Sequence, residues 1–240
     1  YTKTYGSPDP VPEFLVNEQD LRLGDNKSVL TGIITRQPGE DVGQYPYSYS
    51  SVSAGENYAI VFTEIRYLRI EKAYPYFIRE PYSKPITYGQ TLAESEILGE
   101  ANIDGEFVWE TPSAMPEVVN SPFFAKFKPA DTLNYNSIDF ILEVTVLPKK
   151  INISFIGSRV HIYDGKDKAN LSAKALNTLE NDEVLVSLTY SQDSLIDAGT
   201  YEVFATIDNE NYVIEGEGKA EIIIYKKELE VRLKDAEILQ

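Results

Sequence analysis

The sequence predicts an all-β chain of three small β-sandwiches in tandem, and three observations carry that expectation. The dipeptide Asn-Tyr stands at Asn57-Tyr58, Asn134-Tyr135 and Asn211-Tyr212, recurring twice at a spacing of 77 residues. Short runs rich in β-branched and aromatic residues alternate with Gly, Pro, Asn and Asp clusters, the pattern of strands joined by turns. Helix-like stretches are short and few.

Three further markers keep their order around the dipeptide. Each unit opens on Tyr5-Gly6, Tyr88-Gly89 or Tyr163-Asp164-Gly165. Gly43-Gln44-Tyr45, Ser121-Pro122-Phe123 and Gly199-Thr200-Tyr201 precede the Asn-Tyr step, and lysines close each unit at Lys72, Lys149-Lys150 and Lys226-Lys227. The units are therefore residues 1–72, 73–150 and 151–227, with 228–240 left as a strand of a following or preceding unit.

In the first unit the expected strands are Thr31–Thr35, the alternating Tyr45, Tyr47 and Tyr49, Tyr58–Phe62 and Ile65–Ile70. Period-two alternation places the three tyrosines on one sheet face. The second unit offers Phe107–Trp109, Phe123–Phe127 and Ile138–Val146; the third offers Ile151–Phe155, Val184–Tyr190, Tyr201–Ile207 and Ala220–Tyr225. Glu18–Leu23 and Asn170–Leu179 read as short helices, which leaves an α+β, β-grasp-like variant as the alternative fold.

The closing lysines are followed by strand-like Ala73–Ile78, Ile151–Ile156 and Leu229–Leu233. Because the first two run straight into the next Tyr-Gly turn, each is assigned to the unit that follows. Unit one then lacks a strand and Leu229–Leu233 is an orphan. The orphan of one molecule is expected to fill the vacant edge of the next by β-strand addition. The abrupt start at Tyr1-Thr2-Lys3 is read as an excised piece of a longer protein.

The composition excludes whole classes of function. The 240 residues carry 22 Lys+Arg against 38 Asp+Glu, a net charge of −16, with no Cys and 1 His. Disulfides, thiol nucleophiles, Cys-ligated zinc and iron–sulfur clusters are ruled out, as is a multi-histidine metal site. The acidity opposes nucleic-acid binding and anionic membranes, since phosphates are repelled. No apolar run is long enough to span a bilayer, and no signal peptide is expected within these residues.

The markers carry a family resemblance. With Lys3-Thr4-Tyr5-Gly6, Leu30-Thr31-Gly32, Gly43-Gln44-Tyr45 and Ala54-Gly55-Glu56-Asn57-Tyr58, the first unit resembles the YGX-type MBG repeat of bacterial surface proteins. Tyr163-Asp164-Gly165-Lys166, Ala198-Gly199-Thr200-Tyr201 and Asn209-Glu210-Asn211-Tyr212 make the third similar to the YDG-type relative. The second, with Thr87-Tyr88-Gly89-Gln90, Gly105-Glu106-Phe107-Val108-Trp109 and Phe127-Lys128-Pro129-Ala130-Asp131, is similar to the bacterial Ig-like repeats of the same proteins. It departs at Ser121-Pro122-Phe123, which lacks the glycine. The resemblance implies Ig-like sandwiches in long secreted or cell-wall proteins linked to adhesion and, by name, to mucin. It implies no enzymatic activity and supplies no binding residues.

The residues agree with a scaffold. A Tyr two positions after Gly, entering a strand, suits a tyrosine corner, in which the buried ring's hydroxyl bonds nearby backbone. The Asn-Tyr step is expected to do the same. Asp164/Asp167, Asp182/Glu183 and Glu94/Glu96 read as solvated turn and edge charge rather than acid–base pairs, because such small units have no deep cleft. Asp164-Gly165-Lys166-Asp167 lacks the alternating ladder of an EF-hand loop; calcium at an inter-unit joint and a Lys–Asn or Lys–Asp isopeptide bond remain as minor alternatives with no position singled out. His161 reads as a partly exposed strand residue and Trp109 as core. No cofactor or metal is expected.

The leading functional expectation is a non-catalytic, semi-rigid, extracellular spacer on a bacterial surface, its acidity spread along the chain. The alternative is a glycan- or mucin-binding module using exposed tyrosines: Tyr74, Tyr76 and Tyr82 at the joint of units one and two, and the strip Tyr45, Tyr47 and Tyr49. Host or neighbouring glycans, mucin or other surface proteins are then the partners, with neutral glycans favoured over sialylated or sulfated ones.

Overall fold

The computed structural model describes residues 1–22, 24–119 and 121–233. Among them there is no α-helix, only single 3-10 turns at Glu18–Asp20, Lys27–Val29 and Leu92–Glu94. The chain is all-β and built of tandem Ig-like sandwiches.

The first repeat contributes β1 (Thr2–Thr4), β2 (Thr35–Arg36), β3 (Gly43–Ser48) and β4 (Tyr67–Glu71), in the order β1-β4-β3-β2 with β1 parallel to β4. Leu68 and Ile70 alternate inward on β4 and are fully buried. The second contributes β5 (Phe77–Ser83), β6 (Ile86–Thr87), β7 (Ile97–Ala101), β8 (Gly105–Trp109), β9 (Ser121–Pro129), β10 (Ile138–Val144) and β11 (Val146–Leu147). They form the sheets β5-β7, β10-β9-β8 and the parallel pair β6-β11. Phe77, Phe107, Phe127 and Phe140 meet edge-on or tilted, with centroids 5.0–6.2 Å apart, within the favourable range for aromatic pairs.

The third repeat contributes β12 (Lys149–Ile156), β13 (Val160–Ile162), β14 (Ser172–Leu176), β15 (Val186–Tyr190), β16 (Gly199–Ile207), β17 (Tyr212–Ile214) and β18 (Lys219–Tyr225). Its two sheets run β14-β12-β17 and β13-β18-β16-β15. Between them Leu195, Tyr201, Val203, Ile222 and Ile224 form a core, with Phe155 of β12 packed against it.

By packing, the chain gathers into two compact units. One is Tyr1–Ser83 with Glu96–Pro112 and Pro122–Glu143; the other is Lys84–Ser95 with Ser113–Ser121 and the described residues from Val144 on.

Four expectations are corrected. Asn170–Leu179 holds the strand β14 and no helix, with Ala173 and Ala175 turned inward and Ser172, Lys174 and Leu176 outward. Its neighbour β12 offers an antiparallel ladder, and tertiary pairing overrides the helical propensity of Ala, Lys and Leu. Glu18–Leu23 is a single 3-10 turn at Glu18–Asp20, with Leu23 outside the described residues. Tyr58–Phe62 forms no strand, and of Thr31–Thr35 only Thr35 enters β2 while Thr31 makes an isolated bridge to Ser53. Within the chain Leu229–Leu233 enters no ladder, which leaves its expected pairing with another unit untouched; Leu229, Val231 and Leu233 are exposed, and residues 234–240 of the orphan segment lie outside the described residues.

Candidate functional site: the tyrosine joints

The opening tyrosine is pinned identically in all three repeats. The N–H groups of Tyr5, Tyr88 and Tyr163 donate to the carbonyls of Glu71, Leu147 and Tyr225, each at 2.8 Å. A short strand preceding each tyrosine runs parallel to the repeat's last strand. The ring is thereby presented at the end of its repeat, where Gly6 and Gly89 turn the chain at positive φ.

What that ring meets is the Asn-Tyr step of the repeat that follows. Tyr5 packs edge-on against Tyr135 with centroids 5.3 Å apart, and Tyr88 packs edge-on against Tyr212 at 5.4 Å. The asparagine makes the second contact. The Oδ1 of Asn134 accepts from Val42 N–H and its Nδ2 donates to Asp41 and Asp131. Asn211 Oδ1 accepts from Val118 N–H at 2.8 Å. Main chain makes the third, as Ala73 N–H donates to Asn134 O and Lys149 N–H to Asn211 O, both at 2.9 Å. One three-part joint is thus built twice.

The second joint adds a carboxylate. Asp182 Oδ2 accepts from both Tyr88 Oη at 2.9 Å and Tyr212 Oη at 2.5 Å, while Tyr212 Oη accepts from Leu179 N–H. Burial, reinforced by the Asp182 bond and charge, pushes the Tyr88 hydroxyl up to about 12 and raises Tyr212 as well. Asp182 is therefore a structural acceptor rather than the solvated turn charge read from the sequence. The signal that locates it is a repeat: Arg22 N–H donates to Tyr58 Oη and Tyr58 Oη donates to Asp25, with a turn from Arg22 to Asp25 matching that from Leu179 to Asp182.

The Gly-x-Tyr tyrosines are tyrosine corners. Tyr45 Oη donates to Asp41 O at 2.8 Å and Tyr201 Oη to Asp197 O at 2.9 Å, each four residues back. Phe123 has no hydroxyl to make the bond. The Asn-Tyr tyrosine does something else, since Tyr212 reaches Leu179 and Asp182 across the fold.

Other acids serve turns and ion pairs. Asp167 accepts from Leu195 and Ala169 N–H, and Asp164 accepts from Lys168 Nζ and from Lys166 N–H; these bonds lower both carboxyls. Lys3, 8 % exposed, meets Asp9 and Glu40, and Arg36 meets the same two carboxylates. Hydrogen bonds from Arg36 and Lys3 hold the Asp9 carboxyl down at about 2. Trp109 is core at 8 % exposed, and His161, on β13, bonds Ser158 O through Nε2. Among the described residues no group of three His, Cys, Asp or Glu stands ready to hold a metal, and no helix is long and apolar enough to cross a membrane.

The six candidate ligand tyrosines divide into two kinds. Tyr45, Tyr47 and Tyr49 are half-buried: Arg36 sits 5.3 Å over the Tyr45 ring, Tyr1 packs edge-on to Tyr47, and Phe62 stacks on Tyr49 at 4.4 Å. Tyr74, Tyr76 and Tyr82 are 73 %, 64 % and 51 % exposed. Tyr74 lines a shallow hollow with Gln44, Glu71 and Asn136.

A larger groove, of about 660 Å³, lies in the first repeat. Its walls are the segments around Phe14–Val16 and Tyr58–Phe62, and Tyr47 and Tyr49 line it too.

Comparisons with known proteins match both ends of the chain. Residues 1–65 match the model of the MBG domain (YGX type), and residues 155–228 match that of the MBG domain. Among curated proteins no sequence match is found. Among solved structures the chain is similar to Drosophila N-cadherin EC1-4, at 13 % identity and TM-score 0.33, over 77 % of this chain and 57 % of that one. It is also similar to Sidekick-1 immunoglobulin domains 1-5, at 10 % identity and TM-score 0.32, over 80 % and 48 %. The chain thus spans about half the length of those two structures.

Proposed function

Since the chain carries MBG domains at residues 1–65 and 155–228, we propose that it is a non-catalytic spacer of a bacterial surface protein, working outside the cell to hold a functional region away from it. The repeats are taken as residues 1–72, 73–150 and 151–227. The observation that carries the reading is the joint. The residues that recur most regularly, Tyr-Gly and Asn-Tyr, are spent on fastening one repeat to the next. A spacer needs joints that resist bending, and an aromatic pair, an asparagine clamp and a main-chain bond supply three constraints at each.

A second reading is favoured by Tyr74, Tyr76 and Tyr82, three exposed rings on or beside β5. Tyr74 beside Gln44, Glu71 and Asn136 offers a face for stacking a sugar with amide and carboxylate groups to bond its hydroxyls. Neutral glycans or mucin chains are its ligands, since the net charge of −16 repels acidic ones. A glycan and mucin array probed with the chain, and with a Tyr74→Ala/Tyr76→Ala/Tyr82→Ala variant, separates the two readings. The spacer reading expects no signal from either; binding by the chain that the variant loses would replace it with the glycan reading.

A further inference from the structure

The exposed tyrosines of the glycan reading stand in a row. Along the segment that becomes β5, burial alternates at every residue. Pro75 is buried and Phe77 packs into the cluster of Phe107, Phe127 and Phe140, while Tyr74, Tyr76 and Ile78 are exposed, Ile78 at 61 %. Period two puts these three side chains on one face. The backbone that carries them is fixed at three points. Ala73 bridges to Tyr135, Tyr76 N–H donates to Asn102 Oδ1 at 2.8 Å while Tyr76 O accepts from Asn102 N–H at 3.0 Å, and Phe77 lies opposite Ala101 of β7.

Beyond Ile78 two register shifts interrupt β5, setting Arg79 opposite Glu100 and Tyr82 opposite Leu98. Gly99 faces inward, since a Cβ there would stand 2.9 Å from Phe107 Cζ. Glu100 and Leu98, one residue to either side, therefore face outward together with their partners. Tyr82 is thus on the same face as Tyr74, Tyr76 and Ile78. At about 3.3 Å per residue along β5 and β7, the row from Tyr74 to Tyr82 is on the order of 20 Å long.

The shape of the row selects its occupant. It is one side chain wide, far short of the ~800 Å² per partner that a stable protein contact buries. Arg79 and Glu100, which interrupt it, pair with each other at 3.5 Å, so the row favours neither sign of charge. An aromatic face beside amide groups receives the C–H face of a sugar while its hydroxyls find hydrogen bonds, and Gln44 and Asn136 lie beside Tyr74. Platforms repeated along a line suit rings repeated along a line.

We propose that Tyr74, Tyr76, Ile78 and Tyr82 form one track for the interior of a straight, uncharged polysaccharide, each side chain carrying a different ring of the same chain. The proposal rests on the glycan reading and sharpens it from a sugar at Tyr74 to a chain laid along β5. Such a track reads neither end of its ligand, so affinity grows with chain length until the row is covered.

Affinity electrophoresis through gels carrying a soluble β-1,4-linked glucan, mannan or xylan tests it first, and calorimetry with oligosaccharides of the retarding polymer second. The chain is expected to be retarded by at least one polymer. The hexasaccharide is expected to bind about tenfold more tightly than the disaccharide, since each further stacked ring adds to binding. Tyr74→Ala and Tyr82→Ala, at opposite ends of the row, are each expected to weaken hexasaccharide binding several-fold, and Ile78→Asp, in its middle, to abolish retardation. All three side chains are exposed, so the variants keep the fold, which circular dichroism checks. Equal binding of disaccharide and hexasaccharide, with Tyr82→Ala without effect, overturns the track and leaves the glycan reading standing. No retardation by any of the three polymers overturns both. Self-association of the chain in sedimentation that Ile78→Asp removes gives the row to a protein partner and likewise overturns the proposal.

Discussion

A tyrosine hydroxyl is used in two chemically different ways along this chain, and the difference sets what its removal costs. Tyr201 donates to the Asp197 carbonyl, a neutral bond inside a 7 % exposed corner, so Tyr201→Phe is expected to cost about 1 kcal/mol in denaturant unfolding. Tyr88 donates to a side-chain oxygen of Asp182, and burial, with that bond, holds its pKa near 12. Unfolding returns it to about 10. Its contribution is therefore complete below pH ~10 and is lost as pH rises through the folded value near 12. Alkaline unfolding followed by tyrosinate absorbance is expected to be steep in that window and shallower in Tyr88→Phe. Asp9 gives the opposite limb. Its folded value of about 2 lies below the unfolded ~3.9, so its contribution is present above that and is lost as pH falls toward 2. Asp9→Asn is expected to flatten the acid limb, read by circular dichroism. None of these partners is legible from composition: 17 tyrosines announce burial with a polar tip, but Asp182 lies 94 positions from Tyr88.

At the scale of elements, pattern served best where a strand brings its own ladder. Phe123–Phe127, Tyr201–Ile207 and Ala220–Tyr225 lie inside β9, β16 and β18, whose alternation matches a face buried on one side. It served worst where pairing depends on a remote segment. Asn170–Leu179 reads as helix by composition and is drawn into β14 by β12, whereas Tyr58–Phe62 reads as strand and enters no ladder among the described residues. Strand glycines carry a similar hidden constraint. At Gly105, on β8, an added Cβ would stand 2.4 Å from Phe127 Cζ and 2.5 Å from Lys128 O, and Phe127 is 1 % exposed. Neither the ring nor the backbone has room to withdraw, so Gly105→Ala is expected to destabilise the chain by roughly 1–3 kcal/mol, measured by chemical unfolding.

For the whole molecule the 77-residue period was readable in sequence, but its meaning was not. Asn-Tyr looked like a device internal to each repeat, and its side chains instead fasten the repeat to its predecessor. That makes stability a sum of repeat terms and neighbour terms, as in other linear repeat proteins. The two neighbour terms draw on separate residues. Asn134 bonds Val42, Asp41 and Asp131, while Asn211 bonds Val118, Asn209 and Lys149, and the first set lies in one compact unit and the second in the other. Asn134→Ala strands a main-chain N–H and two carboxylates that it now bonds, which is expected to cost about 2 kcal/mol. Asn211→Ala strands the Val118 N–H but keeps its main-chain bonds, so its cost is expected to be smaller, about 1 kcal/mol. With no shared partner, the double variant is expected to lose the sum of the two within about 0.5 kcal/mol. A loss clearly larger or smaller than that sum, read by calorimetry of the four proteins, would mean that strain passes from one joint to the other and that the repeats do not act as independently fastened links.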